Sequence, residues 1–371
     1  MNATGDKTPA GPVAPIAQAA PRARQPRPRA LIGWIAVGLV VLLALVAPFL
    51  VPTFWLSQIL TKALWLGIAA ASVIYLNRDG GMVSLGQVGI YAVAGFTMAN
   101  LVTAFGGRHL GWDPWLATVT AIVAATLFGL LIGAIASRSY GIYFLMITLA
   151  VSVIVFYFFA QVTTLSGYGG IRNVTTPALI GNPVTDPTGL YYVALVASVA
   201  VFVGLRYLSR TPFGLALQGI RDDPGRMRAL GFNIPLHRTL AFGVAALIAA
   251  IAGVLSVWYT TQISPGGVNI SQTINILVIA VIGGLYRLPG AWVGALLFTI
   301  LDNYSRVWLP TIGDWIGPDR FETVLGLIFL VIVLVSPGGL VGAWESLVAR
   351  AGRGLGSRGG PESDAAAAPP V

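Results

Sequence analysis

Catalysis requires titratable side chains within reach of one another, and this sequence provides few. Its 13 carboxylates are spread over stretches that read as loops and tails, and Asp222–Asp223 is the one adjacent pair. There is no cysteine, and the two histidines, His109 and His237, lie far apart with no His-Glu-x-x-His pattern. Thiol chemistry and Cys/His zinc binding are therefore excluded. The lysines are Lys7 and Lys62, and no G-x-x-x-x-G-K-[ST] occurs, so the chain supplies no P-loop for ATP. No enzyme and no metal site is expected. The chemistry left is recognition. One candidate is the charged stretch RTPFGLALQGIRDDPGRMRALGFNIPLHR over residues 210–238, and the others are polar residues set in apolar runs, Ser84, Gln87, Tyr143, Thr148, Gln272 and Asn275.

The elements that must position these residues are membrane helices. In 371 residues, 56% are hydrophobic and 9% charged, with 45 glycines and ten tryptophans. A mean hydropathy of +0.81 places the chain among polytopic helical membrane proteins. Its pI near 10.1 would suggest nucleic acid in a soluble protein, but here the arginines sit in short loops between apolar spans, where they specify topology. No nucleic-acid partner is expected; the lipid bilayer is the partner.

Residues 1–29, rich in Pro and Ala and ending in four arginines, cannot bury a core and are expected to be a disordered cytoplasmic tail. Residues 343–371 read as a second, largely disordered tail, leaving 30–342 as the transmembrane domain. The run 31–51 is long enough, at about 1.5 Å per residue, to cross roughly 30 Å of hydrocarbon and reads as a retained first span. Further spans are expected at 56–76, 82–105, 114–136, 140–161, 189–207, 239–261, 273–285, 290–305 and 322–336. That gives about ten segments in an all-α protein. The pair 273–285 and 290–305 is separated by Tyr286-Arg287-Leu288-Pro289, which implies short or broken helices.

With the N-terminus inside, most arginines fall on the cytoplasmic side, including the six from Arg206 to Arg238, and the outer side receives Arg108, Arg172, Arg306, Arg320 and Lys62. Both termini are then cytoplasmic, as is the 210–238 loop. Apart from Lys62 and Asp302 near span edges, the spans carry essentially no ionisable residue, which disfavours an ion-coupled carrier. A passive channel or a permease driven by another polypeptide remains. A driven permease needs a docking surface, and 210–238 has that character. Pro212 favours a turn, residues 213–221 are amphipathic, Pro224 can open a second helix and Gly231 can end it. A basic segment that only fixes topology and lies on anionic lipid fits the same residues.

Small residues at Gly86, Gly89, Gly283 and Gly284 let helices approach closely in lipid. The fragments GGMVSL and GGLYRL share Gly-Gly-x-x-x-Leu, which six residues leave most simply as coincidence. Any one of the embedded polar residues can equally serve as an interhelical hydrogen-bond partner rather than line a pathway.

Several motifs recur in a fixed order: Gly80-Gly81-Met82-Val83-Ser84-Leu85-Gly86-Gln87-Val88-Gly89, then Gly141-Ile142-Tyr143-Phe144 with Thr148-Leu149, then Leu165-Ser166-Gly167-Tyr168-Gly169-Gly170. They continue with Thr211-Pro212-Phe213-Gly214, Ile220-Arg221-Asp222-Asp223 and Ala229-Leu230-Gly231, then Gly283-Gly284 and Ser336-Pro337-Gly338-Gly339-Leu340. From about residue 60 to 342 the chain resembles the branched-chain amino acid ABC transporter permeases, the LivH/LivM group, more closely its LivM side. After Gly283-Gly284 the family usually continues with glycine and a small hydroxyl residue, where this chain has Leu285-Tyr286-Arg287.

The resemblance implies an inner-membrane permease subunit of an ABC importer for branched-chain amino acids or another small polar solute. It implies a second homologous permease, two cytoplasmic ATPases that bind the ATP, and an extracytoplasmic substrate-binding protein as partners, with no cofactor in this chain. It places ATPase coupling at Arg221, Asp222, Asp223, Ala229, Leu230 and Gly231. A self-sufficient channel or secondary carrier is the alternative.

Overall fold

A computed structural model describes residues 38, 42–103, 111–178, 180–181, 183, 185–312 and 326–327. The chain divides into two compact units, Met1–Leu45 and Val46–Val371. In the first, the described residues 38 and 42–45 are helical. The expected tails, ten of the 21 residues of the first span, most of the last span and the closing Ser336–Leu340 motif lie outside the described residues.

The second unit is a bundle of helices. In chain order these are α1 (Thr53–Gly80), α2 (Gln87–Val102), α3 (Pro114–Ala136), α4 (Ile142–Gln161), α5 (Thr188–Leu208), α6 (Pro212–Asp222), α7 (Pro224–Ala229), α8 (Ile234–Thr260), α9 (Ile270–Gly283) and α10 (Gly290–Ile312). Six helical stretches among the described residues are long and apolar enough to cross a membrane, and α2 is a shorter apolar helix. A two-residue ribbon, β1 (Ile171–Arg172) against β2 (Gln262–Ile263), closes one end of the bundle. Helices α6 and α7 precede α8 and β2 follows it, so the ribbon and the α6–α7 loop lie at opposite ends of a helix about 40 Å long.

Burial follows a membrane logic. Helix α3 buries Ala117, Ala121, Ala125, Gly129, Gly133 and Ala136, while Val119, Val123, Leu127, Leu131 and Ile135 are exposed. Small residues inside and large aliphatic ones outside invert a water-soluble helix, because lipid solvates leucine as well as a core does. A Cβ on Gly133 would meet Phe242 of α8 at 3.0 Å, and one on Gly89 would meet the Ser152 backbone at 3.1 Å. Helices α1 and α8 are the most enclosed of the spans, and α3 and α4 the least.

Two stops shape the path of the chain. Helix α1 ends on Gly81, whose φ of +62° is a left-handed cap, with the Gly81 and Met82 amides donating to the Asn77 and Leu76 carbonyls at 3.1 and 3.0 Å. Helix α9 ends on Gly284 at φ +109°. The two Gly-Gly pairs thus do the same local job, and Asn77 Nδ2 donates to the Leu285 carbonyl at 3.2 Å, joining the two stops. The expected span 82–105 is corrected here, since residues 82–86 are not helical and α2 starts at Gln87. The expected 239–261 begins earlier, at Ile234, because Asn233 caps the helix by accepting from Leu236 N at 3.2 Å.

Lys62 and Asp302 lie within α1 and α10, where they pair at 2.6 Å. Each cancels the charge that would otherwise be costly at that depth.

Candidate coupling surface and solute pathway

The loop after α5 folds as a helix pair. Thr211 caps α6 by accepting from Gly214 N at 3.3 Å, and Pro212 opens it. Its apolar face, Gly214, Ala216, Leu217 and Ile220, is buried, with Leu217 directed at Gly80 at the end of α1. Asp223 caps α7 by accepting from Arg226 N at 3.0 Å, and Leu230 and Gly231, at φ +88°, end it.

Polar bonds fasten α6 to α1. Asp79, 2% exposed, pairs with Arg78 at 2.8 Å and accepts from the Ser209 hydroxyl at 2.8 Å and from Gln218 Nε2 at 3.4 Å. Arg78 also donates to the Ser209 hydroxyl. Arg221 donates to the Arg78 carbonyl and, through Nε, to Asp222 at 2.8 Å. Its aliphatic stem covers Gly81, where a Cβ would sit 2.6 Å from Arg221 Cγ. Arg221 is exposed, but its side chain leans on the end of α1.

Asp222 and Asp223 are exposed, as are Ala229 and Gly231, and Leu230 is 64% exposed. Arg226 and Arg228 are exposed beside them. The tip of α7 is a small apolar knob ringed by cations.

Arg238, grouped by sequence with the topology-setting cations, is buried at 4% exposure. Its Nη1 donates to the Ser137 and Ser139 carbonyls at 3.0 Å each, and its guanidinium lies 4.3 Å from the centre of the Tyr140 ring, with Met82 sulfur 3.1 Å from Nε. Those contacts lock the α3–α4 turn and the segment after α1 onto the start of α8. Sequence reasoning missed this role, and Asp79 with it. The available signal was position: Arg238 lies four residues past the Asn233-Ile234-Pro235 start, hence inside the helix.

Deeper in the bundle, Ser84, Gln87 and Thr148 come together, all buried. The broken segment 82–86 is held by hydroxyls. Thr148 Oγ1 accepts from Leu85 N at 3.2 Å, Ser84 Oγ accepts from Gly86 N at 3.1 Å, and Ser152 Oγ accepts from Gly89 N at 3.2 Å while donating to the Leu85 carbonyl at 2.9 Å. Non-helical backbone at membrane depth needs such partners. Gly86 is pressed against Thr148, and the backbone of Gly283 against that of Gly290, so neither has room for a Cβ without displacement. Gln87 lines a small void with Ser84, Leu85 and Thr273, and both its amide atoms lack a partner among the described residues.

A cleft of about 220 Å³ lies between α4 and the start of α9, lined by Ser152, Phe156, Tyr157, Asn269, Ser271 and Thr273 among others. Gln272 and Asn275 are half-buried on α9 and line neither cavity. Tyr143, 74% exposed, is separate from both. Sequence reasoning overlooked Ser152 and Thr273, which as small hydroxyl residues in apolar runs carry almost no hydropathy signal. No group of three or more His, Cys, Asp or Glu that could hold a metal occurs among the described residues.

Comparison with known proteins adds ancestry to this geometry. The family model described as branched-chain amino acid transport system / permease component matches residues 55–335. The high-affinity branched-chain amino acid transport system permease protein LivM of Escherichia coli K12 is 26% identical over 325 residues, spanning 81% of this chain and 72% of that protein. LivH of the same organism is 25% identical over 284 residues, 71% of this chain and 87% of LivH. A probable LivM of Methanocaldococcus jannaschii is 28% identical over 239 residues, 60% of this chain and 68% of that protein. A polytopic bundle whose broken helices, α6–α7 helix pair and glycine stops all fall within the matched region belongs to the family of branched-chain amino acid transport permease components.

Proposed function

We propose that this chain forms the transmembrane pathway for branched-chain amino acids, or a closely related small polar solute, in an ABC importer of the inner membrane. It has about ten membrane segments and both termini in the cytoplasm. A second permease, two ATPases on the α6–α7 side and an extracytoplasmic binding protein on the ribbon side complete the assembly. The observation that carries this reading is the contrast within one loop. Helix α6 is fastened to the end of α1 next to the broken segment 82–86, whereas Leu230 at the end of α7 is exposed. A push on α7 is thereby passed through α6 to the stretch that surrounds Gln87, and ATP-driven closure of the partners becomes movement at the pathway.

Leu230→Glu tests it. A charge in an apolar contact should cost a few kcal/mol if Leu230 is an interface hot spot. Membrane insertion stays normal, because orientation depends on Lys and Arg. ATPase association and substrate-stimulated hydrolysis in reconstituted membranes are lost. Normal ATPase binding and uptake by that variant sink the coupling role, and uptake without any ATPase points to a self-sufficient carrier. Orientation has its own test: a reporter fused after Arg228 reads cytoplasm and one within 163–187 reads the outside; both reversed overturns the orientation, and both on one side overturns the span count.

A further inference from the structure

We propose that Gln87 is the recognition point for a net-neutral solute bearing both a hydrogen-bond donor and an acceptor, a zwitterionic amino acid or a simple amide, at the break between α1 and α2. The inference deepens the pathway reading above and rests on it.

Gln87 is 2% exposed, and neither its Oε1 nor its Nε2 has a partner among the described residues. A primary amide buried in this way forfeits the hydrogen bonds it would make in water, a penalty that leucine at the same place would avoid. Its neighbours are satisfied: Ser84, Thr148 and Ser152 all bond to the backbone of the broken segment or of α2. The broken segment is thus built and braced, and the side chain that directly follows it is left with a vacant donor and a vacant acceptor. Gln87 also sits in the first turn of α2, a helix of 16 residues whose positive end favours the negative end of a solute.

The surroundings set the chemical class. Among the described residues, no charged side chain lines either the void at Gln87 or the cleft between α4 and α9. A net charge would be desolvated there with no counter-charge, whereas a zwitterion brings its own counter-charge and an amide needs none, and each offers a donor and an acceptor to the Gln87 amide. The void measures about 10 Å³, too small for a solute, and the neighbouring cleft about 220 Å³. Thr273 of α9 lines both. Displacing α9 at Thr273 would merge them, so that Gln87 meets the solute only in an open state. Helix α9 suits such movement, being 14 residues long, preceded by the turn Pro265–Val268 and ended by Gly284.

The test uses the full transporter with its ATPases and binding protein in proteoliposomes, and radiolabelled L-leucine and urea as separate probes. Wild type should accumulate one of the two, which identifies the zwitterion or the amide as the source of the chemistry. Gln87→Leu should lower that uptake about tenfold or more, the effect of losing one to two hydrogen bonds, with unchanged ATPase association and a thermal stability equal to or above wild type. Gln87→Asn, which keeps the amide one methylene shorter, should retain part of it. Uptake by Gln87→Leu at the wild-type rate, or accumulation of neither probe by wild type, overturns the proposal.

Failure of the pathway itself shows separately. The chain has no cysteine, so Ser271→Cys in the cleft can be modified selectively with a membrane-impermeant methanethiosulfonate. If modification leaves uptake intact, the cleft is not on the route. If modification blocks uptake while Gln87→Leu transports normally, the route stands and the recognition role of Gln87 falls.

Discussion

Where α1 meets α6, buried Asp79 is held by Arg78, Ser209 and Gln218, while farther along the same stretch of chain Gln87 is equally buried and held by nothing among the described residues. The first site resembles a joint. Its charges are paired, its hydrogen bonds are met, and α6 cannot shift without carrying the end of α1 with it. The second resembles a vacancy, uncharged and incompletely bonded. On the roles proposed above, force and recognition use different chemistry within about ten residues. The comparison also separates two kinds of polar group that hydropathy treats alike: those that close a structure and those left for something else to close.

The largest effect should come from forcing the vacancy's frame apart. Gly89→Leu places a branched side chain where a Cβ alone would already lie 3.1 Å from Ser152, and overpacking should prevent accumulation of folded permease. Gly89→Ala should be much milder. Membrane abundance and elution as a single species from a sizing column distinguish them, and a folded, transporting leucine variant would mean that α2 and α4 do not need their close contact.

Breaking the joint comes next. Asp79→Ala leaves Arg78 without its carboxylate in a partly buried setting and should destabilise the protein by about 3 kcal/mol. ATPase binding to the α7 tip persists, but hydrolysis no longer drives uptake. If uptake remains coupled in this variant, α6 does not act through α1, and the joint and the vacancy are mechanically independent.

The smallest effect is expected at Tyr143. It is exposed on α4 and apart from both cavities, so Tyr143→Ala should alter stability by no more than about 0.5 kcal/mol and leave uptake unchanged. A marked loss of uptake would place the route along the outer face of α4 and weaken the assignment of Gln87.

Much of the local architecture was legible in the residues. Pro212, the Asp223-Pro224 pair and Gly231 mark the ends of α6 and α7 because proline and aspartate suit first turns and glycine suits a left-handed stop. Hydropathy pointed to the six helical stretches long and apolar enough to cross a membrane among the described residues, since a run of some twenty apolar residues can be satisfied only as helix in lipid. It failed at residues 82–86, where Met82, Val83 and Leu85 are as apolar as any helix. The break exists because hydroxyls on another helix, Thr148 and Ser152, supply the hydrogen bonds that helical backbone would otherwise supply to itself.

The same division holds for the functional residues. With no cysteine and no P-loop motif in the sequence, thiol chemistry and P-loop binding of ATP are not available to this chain, and the ordered motifs were enough to indicate the family. Which polar residue closes the structure and which is left open was decided only by packing. Arg238 and Arg226 are chemically identical in the sequence, yet one is sealed beneath Tyr140 against two carbonyls and the other stands in the open on α7. The physical reason is that a side chain's identity fixes what bonds it can make, while its partners come from residues a hundred positions away that only the folded bundle brings within 3 Å.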